Sequence, residues 1–343
     1  MVVVGVDVTA MTESRAGWRS SFAGGLVGTA RPKQWVKNLL VFAAPGAAGV
    51  LTHGQAAVDA LAAFVIFCIV ASGVYFINDA LDVEADRAHP RKRFRPVAAG
   101  VIGARQAQAV GAALVTVGVA LSALVAVRLL VVLAIYVGVQ VAYSVWLKHE
   151  PVLDLAAVAA GFVLRAIAGA VAVGVPISQW FLIVATFGSL FMVTGKRISD
   201  LAESGGGLTG GGSAGGGGVV GSAGGRALGG GLTGGGSGSA VGRAVAAYSV
   251  AFLRSVLVMS ATVTITAYCL WAFENVKAVT PGEGTAAVCF QLSIVPFTLA
   301  LMRYGLLVDR GQGGAPEDLV LGDRLLVVLA VIWAVVFAVG VYR

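Results

Sequence analysis

Asn78-Asp-Ala-Leu-Asp82-Val-Glu84-Ala-Asp86-Arg87-Ala-His89-Pro-Arg91-Lys92-Arg93-Phe-Arg95-Pro96 directly follows an apolar segment, 59–79, long enough to cross a bilayer. Acids come first and bases second. Asn78, Asp82 and Asp86 are spaced i, i+4, i+8, so a helix that continued through them would stack three oxygen-bearing side chains on one face. Such a stack repels itself unless a cation sits in it. Hard oxygen donors with no His or Cys among them favour Mg²⁺, which keeps several waters and shares its shell with substrate phosphates. The bases that follow are suited to clamp those phosphates.

A chain that is 58% hydrophobic and only 12% charged is far from a soluble average, and its apolar runs recur near the membrane-spanning length. The expected fold is an all-α integral membrane protein with nine spans, at about 34–52, 59–79, 103–126, 129–147, 152–173, 179–197, 244–272, 285–304 and 323–342. The first is the least apolar. Lys and Arg supply an independent check, because they collect in cytoplasmic loops. With the N-terminus inside, the inner segments hold Arg15 to Lys37, Arg87 to Arg105, Lys148, Lys196 to Arg243, and Arg303 to Arg324. The opposite loops hold Arg128, Lys277 and Arg343. That asymmetry predicts an odd number of spans in a plasma membrane, with the motif-bearing face toward the cytoplasm.

The net charge of +7 lies in short loops beside the membrane rather than on a soluble basic face, which argues against nucleic acid and for the bilayer and phosphorylated substrates as partners. Residues 1–20 lack the apolar core of a cleavable signal, so the first spans are expected to serve for targeting. Cys68, Cys269 and Cys289 fall inside apolar runs without CxxC spacing and read as packing residues. Residues 1–27 read as a flexible cytoplasmic tail preceding a membrane domain over 28–343. A Gly-rich cytoplasmic loop at 204–242 interrupts that domain, and Gly-Gly-Gly-Leu-Thr-Gly-Gly-Gly-Ser occurs in it at 205–213 and again at 229–237.

Each half of the domain leads into a charged cytoplasmic loop. In the second half, Lys196 is i, i+4 and Arg197 i, i+3 from Asp200, so all three can face one cavity. A snorkelling helix end with solvated ion pairs would look the same. Arg165 lies near the middle of its span, where a cation needs a polar cavity or a partner; Arg254, in the seventh span, fits either such a role or an interfacial place near the cytoplasmic end, whereas Asp154 and Glu274 sit nearer span ends, where solvation suffices. Lys33 and Lys37 are one turn apart beside Trp35, fitting either a basic interfacial anchor or a substrate contact.

The pattern Asn78-Asp-x-x-Asp82-x-x-x-Asp86, the Arg95-Pro96 pair and the nine-span profile resemble the UbiA superfamily of intramembrane prenyltransferases, over roughly residues 28–343 without the Gly-rich insert. The resemblance implies Mg²⁺ and a diphosphate at two Asp-rich motifs facing a central cavity, with a lateral opening for an isoprenoid. The second motif departs from the common Asp-x-x-x-Asp, because Lys196 stands where the first acid would be. With Arg31-Pro-Lys-Gln-Trp-Val-Lys-Asn38, His89-Pro-x-Lys-Arg-Phe-Arg-Pro96 and Gly188-Ser-Leu-Phe-Met-x-x-Gly-Lys-Arg197, it resembles the phosphoribosyltransferase branch of that superfamily. That likeness implies transfer from phosphoribosyl pyrophosphate to decaprenyl phosphate, on the route to cell-wall arabinan. It implies Asn78, Asp79, Asp82, Asp86 and Asp200 as ligands of Mg²⁺ and pyrophosphate. Asn78, Asp82 and Asp86 are the catalytic core of that set. Lys37, Tyr75, Lys92, Arg95, Lys148, Arg165, Lys196 and Arg197 are implied as substrate contacts. A homo-oligomer is compatible with this reading. Two rivals stay open: a prenyltransferase, which calls for an acid at 196, and a transporter, which calls for its polar motifs at midplane rather than at span ends.

Overall fold

The computed structural model describes residues 21–206, 248–278, 284–311 and 316–342. Residues 1–20 of the expected tail and the Gly-rich segment from 207 onward lie outside the described residues, whereas residues 22–27 of that tail belong to a helix, Phe22–Ala30, capped by Ser21. The described chain is helical throughout, as a lipid environment demands, since helices satisfy every backbone N–H and C=O within the segment.

Among the described residues, twelve α-helices follow in order: α1 Phe22–Ala30, α2 Ala43–Ala47, α3 Gly54–Leu81, α4 Val83–Ala88, α5 Ala104–Val125, α6 Val127–Val145, α7 Leu153–Val173, α8 Gln179–Gly206, α9 Val250–Ala278, α10 Gly284–Asp309, α11 Pro316–Gly322 and α12 Arg324–Tyr342. Among the described residues, eight are long and apolar enough to cross a membrane: α3, α5 to α10 and α12. The chain is a multi-pass membrane protein.

The expected first span, 34–52, is not an α-helix of membrane length. It is a 3₁₀ segment, Pro32–Phe42, then the short α2, then a 3₁₀ turn at Val50–Thr52. Pro45 with Gly46, and Gly49 at φ 72°, break the apolar run. The segment nevertheless runs antiparallel to α3. Arg31 meets Asp79, Trp35 Nε1 donates to Ser72 Oγ at 3.1 Å, Asn38 Nδ2 reaches Cys68 Sγ at 3.2 Å, and the Phe42 and Phe64 rings lie 5.5 Å apart. Gly169 in α7 admits it: a Cβ there would stand 1.7 Å from the Val41 carbonyl oxygen, so backbone rests on backbone.

Of the apolar clusters in the described residues, the two larger correspond to the two halves. Val41, Phe67, Leu133, Tyr136 and Ala168 form one, and Phe191, Leu253, Tyr304, Leu307 and Val308 form the other. α3 and α5 cross closely, because a Cβ at Gly111 would lie 2.7 Å from the Gly73 carbonyl oxygen. α12 packs on α10 and reaches the N-terminal half where Val341 meets Gly49. Because the long helices alternate in direction, the C-terminal ends of α3, α6, α8 and α10 share one face with the N-terminal ends of α7, α9 and α12. The ion pairs Arg31–Asp79, Arg95–Asp79, Arg95–Asp86, Lys148–Asp82, Arg197–Asp154, Arg254–Asp309 and Arg303–Asp323, each between separate elements, lie on that face.

Candidate active site

α3 stops at Leu81, and Asp82 caps it at φ −93°, ψ 9° before α4 restarts. Backbone bonds from Asp82 N to Asn78 O (2.9 Å) and from Asp86 N to Asp82 O (2.8 Å) carry the turn forward. The break nonetheless divides the acids, so the continuous Asn78, Asp82, Asp86 stack expected of an unbroken helix does not form. Asn78 and Asp82 face α6 and the turn after it: Asn78 Oδ1 accepts from Ser144 Oγ at 2.5 Å, and Asp82 Oδ1 from Lys148 Nζ at 2.9 Å. Asp79 and Asp86, 2% and 3% exposed, turn onto arginines instead. Arg95 Nη1 bridges them, at 2.7 Å from Asp86 Oδ2 and 3.3 Å from Asp79 Oδ1, and Arg31 pairs with Asp79 as well. The Arg31 guanidinium also lies 4.9 Å from the Tyr75 ring centroid.

The loop that delivers Arg95 is organised by His89, whose Nδ1 accepts the backbone N–H groups of Arg91 (3.2 Å) and Lys92 (3.3 Å). Burial, reinforced by the Lys92 charge, lowers the His89 pKa and so favours the unprotonated Nδ1 that this turn requires. Burial, then the Arg95 charge, also lowers the Lys92 ammonium below the ordinary lysine value, with Asp86 opposing.

The second cluster is built on α8 and α7. Arg197 forks onto Asp154, with Nε to Oδ2 at 3.0 Å and Nη2 to Oδ1 at 2.8 Å, while its Nη1 reaches Asp200 at 3.3 Å. Lys196 Nζ lies 3.0 Å from Asp200 Oδ1 and is the more open of the two bases. Asp154 is fully buried, so the solvated span-end role expected for it is wrong: bidentate pairing with Arg197 and the Tyr143 hydroxyl at 3.2 Å compensate its charge. Tyr143, Ser144 and Lys148 thus tie the two clusters together, since one short stretch at the end of α6 contacts Asp154, Asn78 and Asp82.

Arg165 stands apart, deep in the N-terminal core. Its Nε donates to Asn38 Oδ1 (2.7 Å), Nη1 to Gly161 O (2.6 Å) and Nη2 to the Tyr136 hydroxyl (3.0 Å), with the Phe67, Tyr136 and Phe162 rings around it. It is a polar pin between the 3₁₀ crossing and α7, away from the two clusters. Arg254 pairs at the exposed surface with Asp309, 2.9 Å away. Lys37 is half-buried on the 3₁₀ crossing. A cavity lined by Gln179, Trp271, Glu274 and Asn275 opens on the face opposite the motifs.

Among the described residues, no three His, Cys, Asp or Glu side chains converge to hold a metal. The donors suit a cation that takes few protein ligands: Asp82 is 41% exposed in its side chain, and only one of its oxygens has a protein donor among the described residues. The sequence did not single out Arg31, Ser144 or Tyr248. Only Arg31 carried a signal, its place at the head of the string ending at Asn38.

The UbiA prenyltransferase family model matches residues 39–203. Decaprenyl-phosphate phosphoribosyltransferase of Corynebacterium glutamicum is 40% identical over 326 residues, covering 94% of this chain and 88% of that protein. The protein of the same name from Mycolicibacterium smegmatis is 38% identical, covering 98% and 99%. Among solved structures, a UbiA homolog from Archaeoglobus fulgidus bound to DMAPP and Mg²⁺ superposes with a TM-score of 0.61 over 92% of this chain and 97% of that one; at 17% identity the likeness is one of fold. The chain belongs to the UbiA prenyltransferase family, in the branch whose curated members are named decaprenyl-phosphate phosphoribosyltransferase.

Proposed function

We propose that this enzyme transfers the phosphoribosyl group from phosphoribosyl pyrophosphate to decaprenyl phosphate, releasing pyrophosphate, as a step toward the lipid-linked arabinose donor of cell-wall arabinan. The observation that carries the reading is the likeness to the named transferases along nearly the whole of both chains. The second cluster agrees with it, because the pair Lys196 and Arg197 stands where prenyl transfer would use an acid. The clusters face the cytoplasm in this reading, consistent with the side on which Lys and Arg collect.

Asn78 and Asp82 would hold Mg²⁺ beside the pyrophosphate of the donor, and Asp200 is the second cluster's candidate ligand. The solved Archaeoglobus homolog was bound to Mg²⁺, which supports a divalent cation here. When bound, that ion offsets the charge of the departing pyrophosphate. Asp79 and Asp86 act through Arg95 and Arg31, aiming guanidinium groups that would otherwise be free to move. Lys92, Arg95, Lys148 and Lys196 neutralise substrate phosphates, with Lys37 and Tyr75 at the edge of the site. Arg197 orients Asp200 while it stays forked on Asp154. Arg165 is reassigned from substrate contact to structural pin, because its donors are engaged by neutral groups three turns deeper. The attacking lipid phosphate is already ionised at neutral pH, so no side chain need remove a proton.

Incubating purified protein with labelled phosphoribosyl pyrophosphate, decaprenyl phosphate and Mg²⁺ should yield a labelled lipid and pyrophosphate. Release of pyrophosphate from a prenyl diphosphate without the ribosyl donor would replace this reading with prenyl transfer.

A further inference from the structure

Val152, the residue before α7, has φ 70° and ψ −48°, close to the central residue of a γ-turn of the rare, strained hand. A β-branched residue adopts such a conformation only where its surroundings fix it. The Val152 side chain supplies no such fixing, being 55% exposed. Its backbone is held at both ends instead. The carbonyl accepts the Ala156 N–H at 2.9 Å as the first bond of α7. The N–H donates to the Tyr248 hydroxyl at 2.6 Å. Tyr248 is itself buried, and its ring stacks on Phe252 with an interplanar angle of 8°, so the hydroxyl is delivered from a fixed platform at the start of α9.

Two residues beyond Val152 lies Asp154, the fully buried carboxylate that takes both arms of Arg197 and the Tyr143 hydroxyl. A relaxed turn at Val152 would shift the first turn of α7 and move Asp154 off Arg197, which in turn shares Asp200 with Lys196. We propose that Tyr248 is a positioning residue: by accepting the Val152 N–H it latches a strained turn and so keeps Asp154, Arg197 and Asp200 in register. Tyr248 touches none of the groups assigned to substrate. The inference rests on the phosphoribosyl reading for its kinetic consequence and on geometry alone for its structural one.

The test is a pair of variants and their double, each purified in detergent as the full chain. Tyr248→Phe removes the acceptor and keeps the ring. Val152→Gly removes the strain, because glycine adopts positive φ without penalty, and costs little packing at an exposed position. Tyr248→Phe should raise KM for phosphoribosyl pyrophosphate about fivefold, the worth of one net hydrogen bond, with kcat within about twofold. Hydrogen exchange across 150–158, measured without substrate, should accelerate. In the Val152→Gly background the same substitution should change KM less than about twofold. An equal loss in both backgrounds, or no change in KM and exchange on Tyr248→Phe, overturns the latch. If the wild type transfers no phosphoribosyl group, the functional reading fails by itself and the exchange arm still decides: unchanged exchange at 150–158 in Tyr248→Phe overturns the latch.

Discussion

Asp82 is the most open acid of the first cluster, whereas Asp79 and Asp86 are closed off by Arg31 and Arg95. That difference sorts one motif into two jobs. Asp82→Asn should cost about 100-fold or more in kcat with folding intact, since a ligand worth several kcal/mol of charge compensation is lost. Turnover near normal at saturating Mg²⁺ would refute the ligand role. At position 196 the sign of the charge is decisive. Lys196→Ala should lose about tenfold, the worth of one charge-assisted bond, and Lys196→Asp more, because repulsion of the donor phosphates is added. A prenyltransferase would tolerate the aspartate. Lys92 offers a test by pH. Its burial and the Arg95 charge lower its pKa, and the protonated form meets phosphate. As pH rises, kcat/KM should therefore fall earlier than an ordinary lysine would dictate. Lys92→Arg stays charged, so its alkaline limb should move to higher pH, and an unmoved limb would exclude Lys92 from phosphate binding.

At the scale of elements, the 3₁₀ crossing depends on close backbone contact with α7. Gly169→Ala places a methyl where the Val41 carbonyl oxygen already lies, so it should destabilise by at least about 1–3 kcal/mol, read as a lower thermal midpoint in detergent. An unchanged midpoint would mean that the crossing shifts freely against α7. The eight long helices were legible because twenty apolar residues in a row admit few other structures, and their ends agree with the expected spans to within several residues. The crossing at 32–52 was not, because length and hydropathy do not report where Pro45, Gly46 and Gly49 divide a run into pieces. The residues of the two clusters were legible as types and spacings. Their partition was not: the break at Asp82 sends Asp79 and Asp86 to Arg95, and spacing along an assumed continuous helix cannot register it. Asp154 was misread for a related reason. An acid in the first turn of an apolar helix looks solvated until the packing of α8 brings Arg197 to it, 43 residues away in sequence.

For the whole molecule, the decisive question is how often the chain passes between the two faces. Eight long helices, an even number, return the C-terminus to the side where α3 begins, so the N-terminus lies on the opposite side only if the segment before α3 makes a further passage. The contacts supply that passage: Arg31 lies beside Asp79 at the end of α3, while His53 caps its beginning, so residues 31–53 travel the depth of α3 without an α-helix of that length. Eleven 3₁₀ residues at about 2 Å each cover roughly 20 Å, most of a hydrocarbon core near 30 Å. Single Cys probes in a background with Cys68, Cys269 and Cys289 replaced test it directly. Ala88→Cys and Lys33→Cys should react with an impermeant reagent only from the cytoplasmic side, and His53→Cys only from outside. Labelling of positions 33 and 53 from the same side would show that the segment re-enters rather than crosses, and labelling of both from the cytoplasmic side would turn all eight long helices, Ala88 included, over with respect to the charge asymmetry.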